Sequence, residues 1–329
     1  MAGAGGAALC IAAMDGGALG SLPCALLSPE EVRAEVAKVR SAASGPLNLN
    51  FFCHRMPGKV DDRAWRALLQ PYYDEYQVKA GNAGRLRLPF DEEMCLLVEE
   101  LKPEVVSFHF GLPDQALVNR VKETRAIVIG NATNVAEAQW LEERGVDAII
   151  AQGFEAGGHT GRFLGSNPAE ALGLFALLPQ VVDAVEVPVI AAGAVADGRG
   201  IAAAIMLGAS AVQIGTAYLH TPEAPISDVH RRKLGEGRTL LTNLLTGGLA
   251  RGVHGRLIDD LGAVRPEVPP YPLASAALAP IRIAAEKQGE LGFAPMWAGQ
   301  AAPLGRPLPA TGLTRRLAAD ALAVLGREA

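Results

Sequence analysis

Short apolar runs alternate with amphipathic segments through the first two thirds of this chain, and that rhythm constrains the fold more than any other feature. A run such as residues 148–151, Ala-Ile-Ile-Ala, leaves neither face of a strand polar, so it has to be covered on both sides. Helices placed between such runs supply the cover, which gives a series of parallel βα units. Strand-like runs occupy residues 18–22, 47–52, 105–110, 127–129, 148–151, 189–192 and 211–214. Helical patterns fill 92–101, 115–122, 135–144 and 200–207. A further helix is announced by Ser28 as cap, Pro29 at the first position and Glu30 and Glu31 in the first turn, with Val32, Val36 and Val39 on one face.

The expected fold class is α/β, a (β/α)8 TIM barrel, but the count reaches only seven strands. Residues 7–14 read as a helix rather than a strand. A parallel barrel without its first strand exposes two sheet edges. The expectation is therefore a barrel whose first strand is missing at the N-terminus, with the native reading frame starting roughly 15 to 25 residues before Met1. Two regions break the rhythm. Residues 54–90 hold Pro57, Gly58, Pro71, Gly81 and Pro89 and are too long for a plain connection. After about Tyr218 the alternation stops, and Pro-rich turns at 266–272 precede helical patterns at 274–288 and 313–325. The division read from this is a barrel over 1–225 with an insertion at about 54–90, then a mostly helical C-terminal segment over 226–329 that covers the active site.

With 329 residues and a net charge of -5, the chain has the size for one large barrel with an appendage, and it shows no basic surface. That argues against nucleic acid or an anionic membrane as partner. Cys10, Cys24, Cys53 and Cys95 show no paired or metal-like spacing, as in a reducing cytosol where thiols act as small packing residues. The Gly/Ala-rich start has no basic flank, and no apolar run approaches about 18 residues. A cytoplasmic location is expected. A homodimer is permitted without being required. His54, His220, His230 and His254 lack the partner spacing of a metal site, so none is expected.

The strongest chemical signal is the segment Ala151-Gln-Gly-Phe-Glu-Ala-Gly-Gly-His159-Thr-Gly161, directly after a buried strand. Barrel active sites are built at such C-terminal strand ends. Glycines there let backbone N–H groups approach a ligand, and an imidazole in the same loop suits proton transfer or anion holding. A second signal is the pair of late strands that end in Gly193 and in Gln213-Ile214-Gly215-Thr216. Consecutive strand ends of this kind form a phosphate site, to which Thr216 adds a hydroxyl. His109, at the end of its own strand, is placed to reach the substrate from the same rim as His159. Arg251 has two readings, a carboxylate pair in the C-terminal segment or an anionic substrate.

Taken together, Gln152 to His159, residues 191–193 with Asp197-Gly198-Arg199, Gln213 to Thr216, residues 47–52 and Thr246 to Gly252 are similar to the nitronate monooxygenase family, formerly called 2-nitropropane dioxygenases. The resemblance runs from Met1 to about Gln300. It implies an FMN-dependent oxidation of alkyl nitronates, and of nitroalkanes, by O2 to carbonyl compounds and nitrite. The family also contains NAD(P)H-dependent flavin reductases, so reduction of a quinone or enoyl thioester is the alternative. By matched position His159 would be catalytic, and Asn50, Gln152, Gly157, Gly158, Gly193, Gln213, Ile214, Gly215 and Thr216 would hold FMN. The family's first strand ends in Ala-Pro-Met-Ala-Gly with its Met against the flavin, which gives Met1 the same role here. Read from the residues alone, Asn50 also fits a strand-end turn, and Gln152 fits a buried amide bonded to backbone.

Overall fold

The computed structural model describes residues 1–81, 84, 86–165 and 167–327. Its strands are β1 (Gly20–Pro23), β2 (Leu47–Phe52), β3 (Val105–His109), β4 (Ile127–Ala132), β5 (Ala148–Gln152), β6 (Gly158–His159), β7 (Val189–Ala192), β8 (Ala211–Gln213), β9 (Thr239–Thr242) and β10 (Ala250–Val253). Its helices are α1 (Ala7–Asp15), α2 (Pro29–Ala42), α3 (Arg63–Glu75), α4 (Glu92–Leu101), α5 (Gln115–Glu123), α6 (Val135–Glu143), α7 (Leu174–Val182), α8 (Gly198–Met206), α9 (Asp228–Glu236), α10 (Arg256–Leu261), α11 (Ala274–Lys287) and α12 (Ala310–Val324).

Local chemistry starts the helices where the sequence places them. The Ser28 hydroxyl accepts from the Glu31 N–H, and the Glu31 carboxylate accepts from the Ser28 N–H at 2.6 Å, a capping box with Pro29 at the first helical position. Asp91, Asn134 and Asp197 cap α4, α6 and α8 in the same manner. Each cap sits on the turn that follows a strand or loop, so each helix departs at a fixed angle toward the outside of the sheet.

Seven strands form one parallel sheet in the order β1-β2-β3-β4-β5-β7-β8. The sheet is a curled, incomplete barrel whose edges are β1 and β8, as the count from sequence anticipated. Its outer face carries Leu47, Leu49, Phe51, Val106, Phe108, Val128 and Ile149, packed against helix residues such as Val32, Val39, Leu141 and Leu177. The inner face is divided. Val105, Ile129, Ala148, Ile150 and Ala192 form an apolar plug on one side. On the other side Asn48 donates to Ser21 and Ser107 at 2.8 and 2.9 Å, and Asn50 donates to Ser107 Oγ at 2.9 Å. The N-terminal residues span the gap between the two edges. A Cβ on Gly215, just past β8, would lie 3.3 Å from Met1 Sδ, while one on Gly5 would lie 3.5 Å from Pro23 at the end of β1.

The irregular regions join each other. From the insertion, Trp65, Leu69 and Tyr73 of α3 pack with Leu257, Ile281 and Phe293 of the C-terminal segment. Trp65 Nε1 donates to the Ala274 carbonyl at 3.4 Å and the Tyr73 hydroxyl to that of Ala277 at 2.6 Å. The C-terminal segment is less helical than its sequence suggests. It contributes β9 and β10, which build a three-stranded antiparallel sheet with β6 in the order β6-β10-β9. At the other end of the molecule α12 lies between α1 and α8, where a Cβ on Gly16 would come within 2.4 Å of Thr314. Among the described residues no helix is long and apolar enough to cross a membrane. Because Trp65 is fully buried and ties two distant segments, Trp65→Ala should lower stability by about 3–5 kcal/mol in denaturant unfolding. A loss under about 1 kcal/mol would mean that α3 is not part of the folded unit.

Candidate active site

β5 ends in Gln152, a side chain only 9 % exposed, and the chain then leaves the barrel through Gly153 to Gly157. The loop folds back at once: Gln152 Nε2 donates to the His159 carbonyl at 2.9 Å, and Gln152 Oε1 accepts from the Gly161 N–H at 2.8 Å. Asn131 at the end of β4 donates to the same oxygen at 3.2 Å. The Gln152 amide therefore binds its own loop, the backbone-bonded reading of that residue, and retains one Nε2 hydrogen for a ligand. Pairing of β6 with β10 places His159 opposite Ala250 and Gly158 opposite Arg251.

The His159 ring is buried at 8 % exposure, and its Nε2 lies 2.8 Å from Thr246 Oγ1. Thr246 Oγ1 also lies 3.4 Å from the Gly248 carbonyl, which can only accept. The hydroxyl hydrogen then goes to Gly248, so Nε2 carries the imidazole proton and donates to Thr246. Nδ1 has no hydrogen-bond partner among the described residues and keeps its lone pair. Around this ring stand Phe52, Phe110, Tyr271 and Trp297, with centroids 6.2, 5.9, 5.0 and 5.4 Å away, all edge-on. Phe110 reaches its place with a left-handed backbone, φ +68°, a conformation a bulky residue adopts only when its surroundings impose it. His54 packs on Tyr271 at 4.7 Å. Among the described residues the Tyr271 hydroxyl and His54 Nδ1 are both buried without a partner, so a ligand between these rings would meet two free polar atoms.

Burial governs the electrostatics. It holds the His159 imidazole well below its usual range, reinforced by the Arg87 guanidinium and by His109 and His54. His109 is pushed down to about 4 by burial, against an opposing contact with the His159 backbone. His54 is pushed down to about 4 by burial, against its hydrogen bond to the Arg87 carbonyl. All three rings are neutral near pH 7. His109 lies against the loop: a Cβ on Gly161 would lie 2.6 Å from its Cε1 and 2.3 Å from Asn131 Nδ2.

Against the start of the same loop, the ends of β7 and β8 form a cradle: a Cβ on Gly193 would lie 3.2 Å from the Ala156 nitrogen. Gly193 and Ala194 both have left-handed backbones, with φ +106° and +55°. The N–H groups of Gly193, Ala194 and Gly215 find no acceptor among the described residues. Thr216 Oγ1 accepts from the Gly299 N–H at 2.9 Å, which leaves its own hydrogen to donate. Gly157 is held against Gly299, whose nitrogen would lie 2.5 Å from a Cβ at 157. Gln213 is exposed on the edge strand, Ile214 is half-buried, and Asn50 presents its Oδ1 because Ser107 engages its amide nitrogen. Arg251 is buried at 3 % exposure, donates to the Phe154 carbonyl at 3.2 Å and covers the Phe154 ring at 4.5 Å. It makes no ion pair among the described residues, so the carboxylate pairing allowed by the sequence does not occur.

Sequence reasoning passed over Thr246 as a partner for His159, and it passed over Phe52, Phe110, Tyr271, Trp297 and Arg87. Thr246 lay inside a quoted motif, but nothing local marks it as reaching a ring 87 residues away. The cysteines are free, and burial raises the Cys10 thiol to about 11, as for packing residues. Among the described residues no group of three or more His, Cys, Asp or Glu side chains could hold a metal ion.

An unfolded histidine titrates near 6.5, so between that pH and about 4 the unfolded chain takes up protons that the three buried rings refuse. Stability present above pH 6.5 is therefore lost as the pH falls, by up to about 1.4 kcal/mol per pH unit for each ring. The thermal midpoint should drop between pH 7 and pH 5, and less so in His109→Phe. A midpoint independent of pH over that interval would show that the rings are not buried neutral.

The sequence profile of the nitronate monooxygenase family matches residues 1–320. A nitronate monooxygenase of Paraburkholderia phytofirmans is 39% identical over 328 aligned residues, covering 96% of this chain and 89% of that protein. Among solved structures, the nitroalkane oxidase of Streptomyces ansochromogenes superposes with a TM-score of 0.91 at 33% identity, covering 99% of this chain and 95% of the other. FabK from Thermotoga maritima superposes with a TM-score of 0.75 at 25% identity, covering 99% and 92%. A barrel of parallel strands, a buried histidine on the loop after β5 and a cradle after β7 and β8 thus coincide with likeness along the whole length, and the chain belongs to the nitronate monooxygenase family.

Proposed function

We propose that this protein binds FMN and oxidises alkyl nitronates, and nitroalkanes by way of their nitronates, with O2 to carbonyl compounds and nitrite. The observation that carries the reading is the His159 imidazole: buried, neutral, bonded through Nε2 and free at Nδ1, in a pocket of aromatic edges. The cradle fits a single phosphate ester. Its free N–H groups at Gly193, Ala194 and Gly215 and the available Thr216 hydrogen are the donors a phosphate dianion requires. Asn50 Oδ1 and the spare Gln152 Nε2 hydrogen offer an acceptor and a donor suited to the polar edge of a flavin. Gly157 and Gly158 would let backbone approach closely, Gln213 and Ile214 would flank the cradle, and Met1 would cover one face with its thioether. The bound flavin would supply the electron-accepting chemistry that no side chain here provides.

The remaining steps belong to this chain's own residues. With a neutral nitroalkane in the pocket, the Nδ1 lone pair of His159 takes the α-proton while Nε2 keeps its bond to Thr246. The negative charge that develops on the nitro oxygens meets the unpartnered Tyr271 hydroxyl, which donates to it. Phe52, Phe110 and Trp297 exclude water and receive the alkyl group. His109, against the loop, is proposed to contact substrate only through the position it gives Gly161.

His159→Asn should reduce turnover of neutral nitroethane by about 10² to 10⁴-fold while retaining flavin. Preformed ethylnitronate, already deprotonated, should be affected far less. Equal activity of the variant on nitroethane would remove His159 from the mechanism. Thr246→Val, which strips the Nε2 partner, should cost about ten-fold on nitroethane. Cofactor released on heating should be FMN, and release of FAD would contradict the single-phosphate cradle. Anaerobic mixing decides the reaction class: nitronate should bleach the flavin, whereas bleaching by NADH and not by nitronate would favour the reductase alternative.

A further inference from the structure

Glu137 carries an inference that none of the chemistry above uses. It lies in the first turn of α6, is fully buried, and accepts four hydrogen bonds. Oε2 receives the Thr133 N–H at 2.7 Å and the Thr133 hydroxyl at 2.8 Å. Oε1 receives the N–H groups of Phe163 and Leu164 at 2.7 and 2.9 Å. No lysine or arginine pairs with it among the described residues. It is instead seated at a helix N-terminus, where the dipole favours a negative group, and ringed by donors.

The two sides of this carboxylate belong to different parts of the molecule. Thr133 follows β4 and is fixed to the barrel. Phe163 and Leu164 belong to the loop that carries His159, four and five residues further along. Between them Gly161 lies so close to Asn131 and His109 that a methyl group could not enter, and its N–H is held by Gln152, which also holds the His159 carbonyl. The Phe163 ring packs on Trp140 of α6 at 5.0 Å and covers Gly111, where a Cβ would lie 3.2 Å from the ring. A loop that follows a two-residue strand needs a main-chain tie beside such side-chain contacts, since short strands hold weakly alone.

We propose that Glu137 is a positioning residue whose carboxylate fastens the loop of residues 160–165 down onto β4 and α6, and so seals the pocket over His159. The inference rests on the proposed role of His159, but the tie itself can be tested apart from it. In Glu137→Gln the shape is kept while one of the two oxygens becomes an NH₂ group. That group must face either the Phe163 and Leu164 N–H pair or the Thr133 N–H, donor against donor. The loop-side bonds, which end on the less constrained element, are the ones to give way.

Two readouts follow, both on the flavin-loaded enzyme. Hydrogen exchange should become about ten-fold faster at Phe163, Leu164 and Gly161 in Glu137→Gln, with little change on α5. The acid limb of kcat for nitroethane should move up by about one pH unit, because water admitted over His159 relieves the burial that depresses it. Leu141→Ala serves as the comparison. Leu141 lies fully buried on the same helix against Gly130 of β4, so this variant loses stability while the four hydrogen bonds of Glu137 remain, and its acid limb should stay in place. If Glu137→Gln leaves exchange at Phe163 and Leu164 unchanged, the tie does not exist. Faster exchange with an unmoved acid limb, or a limb that moves equally in Leu141→Ala, would reduce Glu137 to a structural residue. Faster exchange together with full activity of His159→Asn would instead overturn the role of His159 and leave the tie standing.

Discussion

A peptide chain that leaves a barrel strand and turns back over the barrel mouth must find partners for every N–H and C=O it covers. The site depends on how that requirement is met. Gln152 takes the carbonyl of His159 and the N–H of Gly161, β10 takes the main chain at Gly158 and His159, and Glu137 takes the N–H groups of Phe163 and Leu164. Each partner comes from a different element. The loop consequently has one position, and the imidazole it carries has one orientation. Glycine at 157 and 161 follows from the same requirement, because at both positions the main chain approaches other atoms more closely than any Cβ allows.

Satisfying the loop from within also dries it. The rings of Phe52, Phe110, Tyr271 and Trp297 surround His159 on the side that the loop leaves open. In such surroundings an imidazolium is disfavoured, and the free nitrogen stays a lone pair near pH 7. The same low polarity strengthens whatever hydrogen bond a substrate makes there, including one from the buried Tyr271 hydroxyl. A base that is weak in water becomes useful where the charge it generates sits beside a developing anion.

Much of this was legible in the sequence, and the reasons differ by element. The runs at 148–151 and 189–192 declared themselves because they are apolar throughout, as a strand buried on both faces must be, and those at 47–52 and 105–110 because leucine, valine and phenylalanine recur through them; all four became strands of the barrel. The Gly-rich segment with His159 was legible because its glycines and histidine follow one of those runs directly. The antiparallel sheet of β6, β9 and β10 was not. A two-residue strand has no period, and Thr239–Thr242 and Ala250–Val253 flank turns that read as irregular chain. The pocket wall was hidden for another reason: Phe110, Tyr271 and Trp297 are distant in sequence and meet only in the folded chain, around His159. Glu137 was misleading in its own way. Amphipathic patterning assigns a glutamate in a helix to solvent, and only the fold shows four donors converging on it.

The interior of the barrel is divided into an apolar half and a polar half. Beneath β3, β4, β5 and β7 the plug is apolar, with Val105, Ile129, Ala148, Ile150 and Ala192, and above it stand Asn131 and Gln152, whose amides engage each other and the loop and leave one Gln152 Nε2 hydrogen spare. That half can be dry because little in it is left unpaired. Beneath β1 and β2 the interior is polar, with Ser21 exposed and Asn48 buried with one oxygen unpartnered among the described residues, and at the other edge Gln213 of β8 is exposed. Donors and acceptors that face the open side between β1 and β8 can be met by water or by a polar ligand, so they cost little there. Asn50 sits on the boundary, tied to Ser107 on one side and presenting its oxygen on the other. Under the proposed function, a ligand with one polar edge and one phosphate would find its donors and acceptors from Asn50 to the ends of β7 and β8.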